Sequence, residues 1–113
     1  MTTLRKWFDR FTEETGEKVE VVCFGGGRWY GSEDEPRQGW PAYPVNVATP
    51  VDLIDAAVFD RDFDAGFGGN ESPNLCAWSA SYVVFSDNYD GAEDIRWVPR
   101  NPSDHTPARP GGG

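Results

Sequence analysis

The chain has 113 residues, a formal net charge of −9, and five Trp, four Tyr and seven Phe residues. This length predicts one domain around a single buried core. The aromatic content excludes a disordered acidic tail, because such tails are poor in aromatic residues. No run approaches the roughly 18 apolar residues of a membrane span, and the first residues lack the apolar core of a secretory signal. We therefore expect a cytoplasmic protein without a membrane partner.

The pattern of residues 3–14 predicts the first helix. Thr2 or Thr3 would cap its N-terminus, and Gly16 follows its end. Apolar residues recur at the spacing of one helical face: Leu4, Trp7, Phe8 and Phe11.

A strand is predicted next, because residues 18–24 are rich in valine and three glycines follow them. Residues 25–44 then predict a long loop punctuated by glycine and proline. This loop contains four aromatic residues that could pack on the core or face a partner: Trp29, Tyr30, Trp40 and Tyr43. Residues 45–48 predict a second, short strand.

Thr49 and Pro50 suit the N-cap and first position of a second helix that would extend to about Phe59. Two further strand segments, at residues 76–78 and 81–85, follow an acidic loop. Residues 94–98 are predicted to pair with the second of them across a turn at 89–91.

The predicted fold class is therefore α+β, with a small antiparallel sheet and two helices packed on one face. Residues 1–99 would form the domain. Residues 100–113 are rich in proline and glycine and predict a flexible tail.

One acidic loop has the ligand spacing of a calcium site. Asp60, Asp62, Asp64 and Glu71 occupy positions 1, 3, 5 and 12 of an EF-hand loop. However, Ala65 stands where that loop needs glycine, and Pro73 blocks the exiting helix. Calcium binding is therefore an alternative, and the leading expectation is that the protein has no metal or cofactor.

Catalytic motifs are scarce. The one histidine, His105, lies in the predicted tail, so serine or cysteine triads and multi-histidine metal sites are not expected. Paired carboxylates leave a small hydrolase as a second alternative. The two cysteines, Cys23 and Cys76, are expected to be reduced residues of strands, with a disulfide as the other possibility. We predict that the protein is not an enzyme.

The negative charge is concentrated between residues 52 and 94. This window holds a single base, Arg61, and ten acids, whereas the rest of the chain has equal numbers of acids and bases. The ten acids are Asp52, Asp55, Asp60, Asp62, Asp64, Glu71, Asp87, Asp90, Glu93 and Asp94. A one-signed surface attracts basic partners and repels phosphates, so direct nucleic-acid binding is not expected.

In size, acidity and aromatic content, residues 52–94 resemble small inhibitors from phages and mobile elements, namely anti-CRISPR and anti-restriction DNA mimics. They are also similar to acidic immunity proteins that neutralise nucleases. The resemblance implies an inhibitor whose ten acids contact a basic nucleic-acid-binding protein or nuclease complex. The segment 89–102 also has the look of a family signature, although no role attaches to it.

Overall fold

Five antiparallel strands form one sheet in a computed structural model, which describes residues 1–27, 33–66, 71–89 and 92–102. The elements in chain order are helix α1 (Leu4–Thr15), strand β1 (Val21–Phe24), strand β2 (Thr49–Pro50), a 3₁₀ helix (Val51–Leu53), helix α2 (Ala56–Asp60) and strands β3 (Leu75–Trp78), β4 (Tyr82–Tyr89) and β5 (Ala92–Pro99). The α+β class is thus confirmed. Among the described residues, no helix is long and apolar enough to cross a membrane.

Helix α1 forms where the sequence predicts it. The Thr3 hydroxyl oxygen accepts a hydrogen bond from the Lys6 N–H, which satisfies one of the free donors at the helix start. Gly16 ends the helix with a φ of 77°, a left-handed conformation that glycine adopts without steric cost. Leu4, Trp7 and Phe11 are all buried on the side that faces the sheet.

The single helix predicted from Thr49 to about Phe59 is wrong. Thr49 and Pro50 pair with β1, and the Val51 N–H donates to the carbonyl of Glu20. Helix α2 begins only after Asp55, whose carboxylate accepts a hydrogen bond from the Ala57 N–H. Pairing with β1 therefore outweighs the capping signal of the Thr-Pro dipeptide.

The strand predicted at residues 45–48 is also wrong. Only Val45 forms an isolated bridge, to Phe24, and the following residues extend towards β2. Asn46 has a φ of 59°, a left-handed conformation that interrupts a strand but that asparagine tolerates.

The sheet has the strand order β2-β1-β3-β4-β5 and two unlike faces. Both helices pack on the inner face: Phe11 contacts Tyr82 and Trp97, and Phe59 contacts Phe24. Since directly paired residues point to the same side, the register also defines an outer face. Its residues are Val21, Cys23, Cys76, Trp78, Val83, Phe85, Asp87, Asp94, Arg96 and Val98.

Two loop aromatics belong to the core. Trp40 is buried against Phe63, and its ring N–H donates to the carbonyl of Glu71. Tyr43 is buried against Phe24, and its hydroxyl donates to the carbonyl of Gly25. These contacts fasten the long loop to the domain. Trp29 and Tyr30, the turn residues Asp90 and Gly91, and most of the predicted tail lie outside the described residues.

Candidate acidic interface

Three of the ten predicted acids are in ion pairs that partly neutralise them. Asp60, at the end of α2, accepts hydrogen bonds from Arg5 of α1. Asp94 of β5 pairs with Arg10 of the same helix. Asp87 of β4 lies 3.5 Å from the guanidinium of Arg96, on the outer face. The arginines of α1 and β5 thus offset part of the charge that the sequence concentrates in the window.

The Asp60–Arg5 pair lies at the surface. The hydrogen bond from Arg5 lowers the pKa of the Asp60 carboxyl and raises that of the guanidinium. Because water screens an exposed pair strongly, this contact contributes little to folding. Arg5 therefore partly neutralises Asp60, whose side chain stays 55% exposed.

Five predicted acids are exposed and have no ion pair within the described part of the chain. They fall into two groups. Asp52 in the 3₁₀ helix and Asp55 at the start of α2 form the smaller one. Asp62, Asp64 and Glu71 form the larger one, and we call these three residues the acidic loop patch.

Local backbone geometry assembles the acidic loop patch. The side chains of Arg61 and Phe63 both contact the Trp40 ring, with the Arg61 guanidinium 4.6 Å from the ring centroid. In an extended segment the intervening residues point the opposite way, so Asp62 and Asp64 face solvent together. The Glu71 carboxylate then accepts a hydrogen bond from the Asp64 N–H, which brings the third charge alongside.

Glu93 is placed quite differently from the other acids, because it is buried on the inner face of β5 with only 8% of its surface exposed. Its carboxylate accepts hydrogen bonds from the N–H groups of Glu71 and Ser72 and from the Ser72 hydroxyl. Burial raises the pKa of Glu93, although these hydrogen bonds oppose the shift. Glu93 therefore holds the chain beneath the acidic loop patch and is not itself a contact surface.

The alternation of residues along β5 predicts the buried position of Glu93, which the number of acids in the window does not. Glu93 shares its period-2 register with Ile95 and Trp97, which both face the core. An acid in an otherwise inward-facing series predicts a buried carboxylate with hydrogen-bond partners. Asp90, the remaining acid of the ten, lies outside the described residues.

The outer face is a second surface feature, and it was not predicted. Two rows of paired residues cross four strands: Val21, Trp78, Val83 and Val98 in one, and Cys23, Cys76, Phe85 and Arg96 in the next. All eight are half-buried. The pair Asp87 and Asp94 continues this face towards the end of the sheet where Glu71 precedes β3. The sequence does contain an indication of this face: β1, β3 and β4 have apolar residues at successive positions, so both sides of each strand carry apolar side chains.

The calcium arrangement does not form within the described residues. Asp60 is turned to Arg5, and the Glu71 and Asp64 oxygens accept hydrogen bonds from backbone N–H groups of the loop. No group of three or more His, Cys, Asp or Glu side chains in this part of the chain is placed to hold a metal ion.

A groove of about 490 Å³ runs between α1 and the 3₁₀ helix. Phe8, Ile54 and Phe59 contribute to its apolar wall, and the carboxylates of Asp9 and Asp52 lie on its rim. Both acids are exposed. A glycosidase needs one carboxyl that is shielded from water, whereas both of these carboxylates are exposed.

Comparison of the chain with protein-family models, with curated proteins and with solved structures gives no match.

Proposed function

We propose that this protein is a non-enzymatic inhibitor that binds a basic, nucleic-acid-handling protein. The observation that carries the proposal is the acidic loop patch: Asp62, Asp64 and Glu71 are exposed, adjacent and without ion pairs among the described residues. The partner would offer the basic groove with which it normally grips DNA or RNA.

The charge of the patch is held in place before any partner arrives. Phe63 is 1% exposed and packs on Trp7 and Trp40, which fixes the segment that carries Asp62 and Asp64. Hydrogen bonds to Glu93 fix the backbone of Glu71. A preorganised array of carboxylates loses little conformational entropy on binding, which favours affinity as well as rate.

Carboxylates at an interface mainly accelerate encounter, whereas aromatic contacts carry more of the binding energy. Trp78 and Phe85 on the outer face offer such contacts, and Asp87 and Asp94 join that face to the end of the sheet near the acidic loop patch. This combination fits a partner whose basic groove has an apolar wall.

The proposal is tested by neutralising the patch without changing its shape. The triple variant Asp62→Asn, Asp64→Asn and Glu71→Gln keeps the oxygen atoms that accept loop hydrogen bonds. The matched control Glu13→Gln, Glu14→Gln and Glu20→Gln also removes three exposed charges, but from α1 and the segment before β1.

The probes are an RNA-guided DNA nuclease and a restriction endonuclease, and surface plasmon resonance gives the association rate. We expect the patch variant to associate on the order of tenfold more slowly than the control, because only the local field differs between them. The wild-type rate should also fall between about 50 and 200 mM salt, and substrate DNA should compete. Equal rates for the two variants, or binding that neither salt nor DNA affects, would refute the proposal.

A further inference from the structure

The two cysteines of the chain lie directly opposite one another. Cys23 of β1 and Cys76 of β3 are register partners on neighbouring antiparallel strands. Both thiols are free and half-buried on the outer face, away from α1 and α2. Burial and the neighbouring Cys23 raise the pKa of the Cys76 thiol.

The backbone pattern sets the distance between the two cysteines. The Gly25 N–H donates to the carbonyl of Asn74, which lies directly opposite in the same register. Cys23 and Cys76 are two positions further along, so they also occupy a hydrogen-bonded pair, with Cα atoms about 5.5 Å apart. Disulfides span Cα separations of roughly 4.4 to 6.8 Å. A disulfide between Cys23 and Cys76 can therefore form without a change in the register of β1 and β3.

We infer that Cys23 and Cys76 form a dithiol site that a low-molecular-weight disulfide such as glutathione disulfide converts to a cross-strand disulfide. This inference is independent of the proposed function. The disulfide would link the neighbouring strands β1 and β3 on the outer face of the sheet.

The reaction is a pair of thiol–disulfide exchanges. One cysteine loses its proton, and its thiolate attacks a sulfur of glutathione disulfide, forming a mixed disulfide and releasing one glutathione thiolate. The second cysteine, as thiolate, attacks the protein sulfur of that mixed disulfide and expels the second glutathione. Two protein thiols are oxidised, one glutathione disulfide is reduced, and two glutathione molecules carry away the two protons.

Peptide mapping of the full chain tests the inference. The protein is incubated with excess glutathione disulfide, remaining thiols are alkylated, and trypsin then separates the two cysteines into peptides 19–28 and 62–96. We expect one linked pair of these peptides, lighter than their summed masses by two hydrogens, from a chain that remains monomeric on a non-reducing gel. Dithiothreitol should restore two alkylatable thiols.

Single variants separate the two exchange steps. In Cys23→Ser or Cys76→Ser the second attack is impossible, so the remaining cysteine should retain one glutathione. The Cys23→Ser/Cys76→Ser variant should show no mass change. The inference would be overturned if the wild-type chain kept two glutathiones, kept two alkylatable thiols, or linked only to a second chain. These outcomes are read on the wild-type protein and do not depend on the folding of any variant.

Discussion

Replacing Glu93 by alanine should release the chain that carries Glu71. The substitution leaves three donors without their acceptor: the Glu71 N–H at 3.0 Å, the Ser72 N–H at 3.2 Å and the Ser72 hydroxyl at 3.1 Å. Each buried donor that loses its partner costs about 1 to 3 kcal/mol. Water can reach the exposed Glu71, so its N–H costs the lower value; the same lower value for each of the two buried Ser72 donors gives a minimum loss of about 3 kcal/mol.

Urea denaturation, followed by far-ultraviolet circular dichroism, measures this loss. Tryptophan fluorescence, to which Trp40 contributes, should change in parallel, since the Trp40 ring N–H donates to the Glu71 carbonyl. A domain of this size loses roughly 4 °C in Tm per kcal/mol, so a thermal scan should show a decrease of about 12 °C. A Glu93→Ala variant as stable as the wild type would refute the idea that this carboxylate anchors the loop.

Glu93→Gln serves as the control for charge. Burial raises the folded-state pKa of Glu93 above its ordinary value of 4.5. The folded protein therefore holds this proton more tightly than the unfolded chain, and the contribution of Glu93 to the free energy of unfolding falls as pH rises from about 4.5 through the folded pKa. The variant lacks this titration. The stability of the wild type relative to Glu93→Gln should consequently decrease over that pH interval, and an increase would contradict the assigned burial.

Two further predictions concern the core and the long loop. Phe11→Ala should lower the free energy of unfolding by about 3 to 5 kcal/mol in the same urea assay, because the ring is fully buried between Tyr82 and Trp97; a loss below about 1 kcal/mol would contradict that packing. Gly26→Ala should also destabilise the protein, by about 1 to 3 kcal/mol, since the new Cβ would lie 2.0 Å from a backbone carbonyl oxygen. Gly25→Ala is its control, because the nearest atoms lie at an ordinary 3.5 Å, and equal losses in the two variants would contradict the close approach.

Helix α1 could be predicted from sequence because its determinants are local. Thr3, the apolar spacing and Gly16 all lie within the helix or next to it, and each was confirmed. Thr49 and Pro50 have equally good local chemistry for a helix start. They form a strand instead because β1, more than twenty residues earlier in the chain, offers its edge. The local sequence at Thr49 and Pro50 does not indicate this long-range pairing.

The candidate site shows the same limit. The sequence shows that acids are concentrated between residues 52 and 94, but it cannot show which of them meet an arginine. Arg5 and Arg10 both come from α1, and they reach Asp60 and Asp94 only because the helix packs across the sheet. Among the described acids of the window, only the acidic loop patch, Asp52 and Asp55 stay exposed without an ion pair.

The outer edge of β5 is poorly suited to pairing with a strand of another chain. Every second residue of β5 directs its N–H away from β4. Two of these N–H groups already have acceptors: that of Glu93 donates to the Ala65 carbonyl, and that of Ile95 donates to the Asp94 carboxylate. Pro99, in the same series, has no N–H to offer. An incoming strand would therefore find few donors to pair with, which disfavours edge-to-edge aggregation of the chain. At high concentration this edge should not nucleate fibrils.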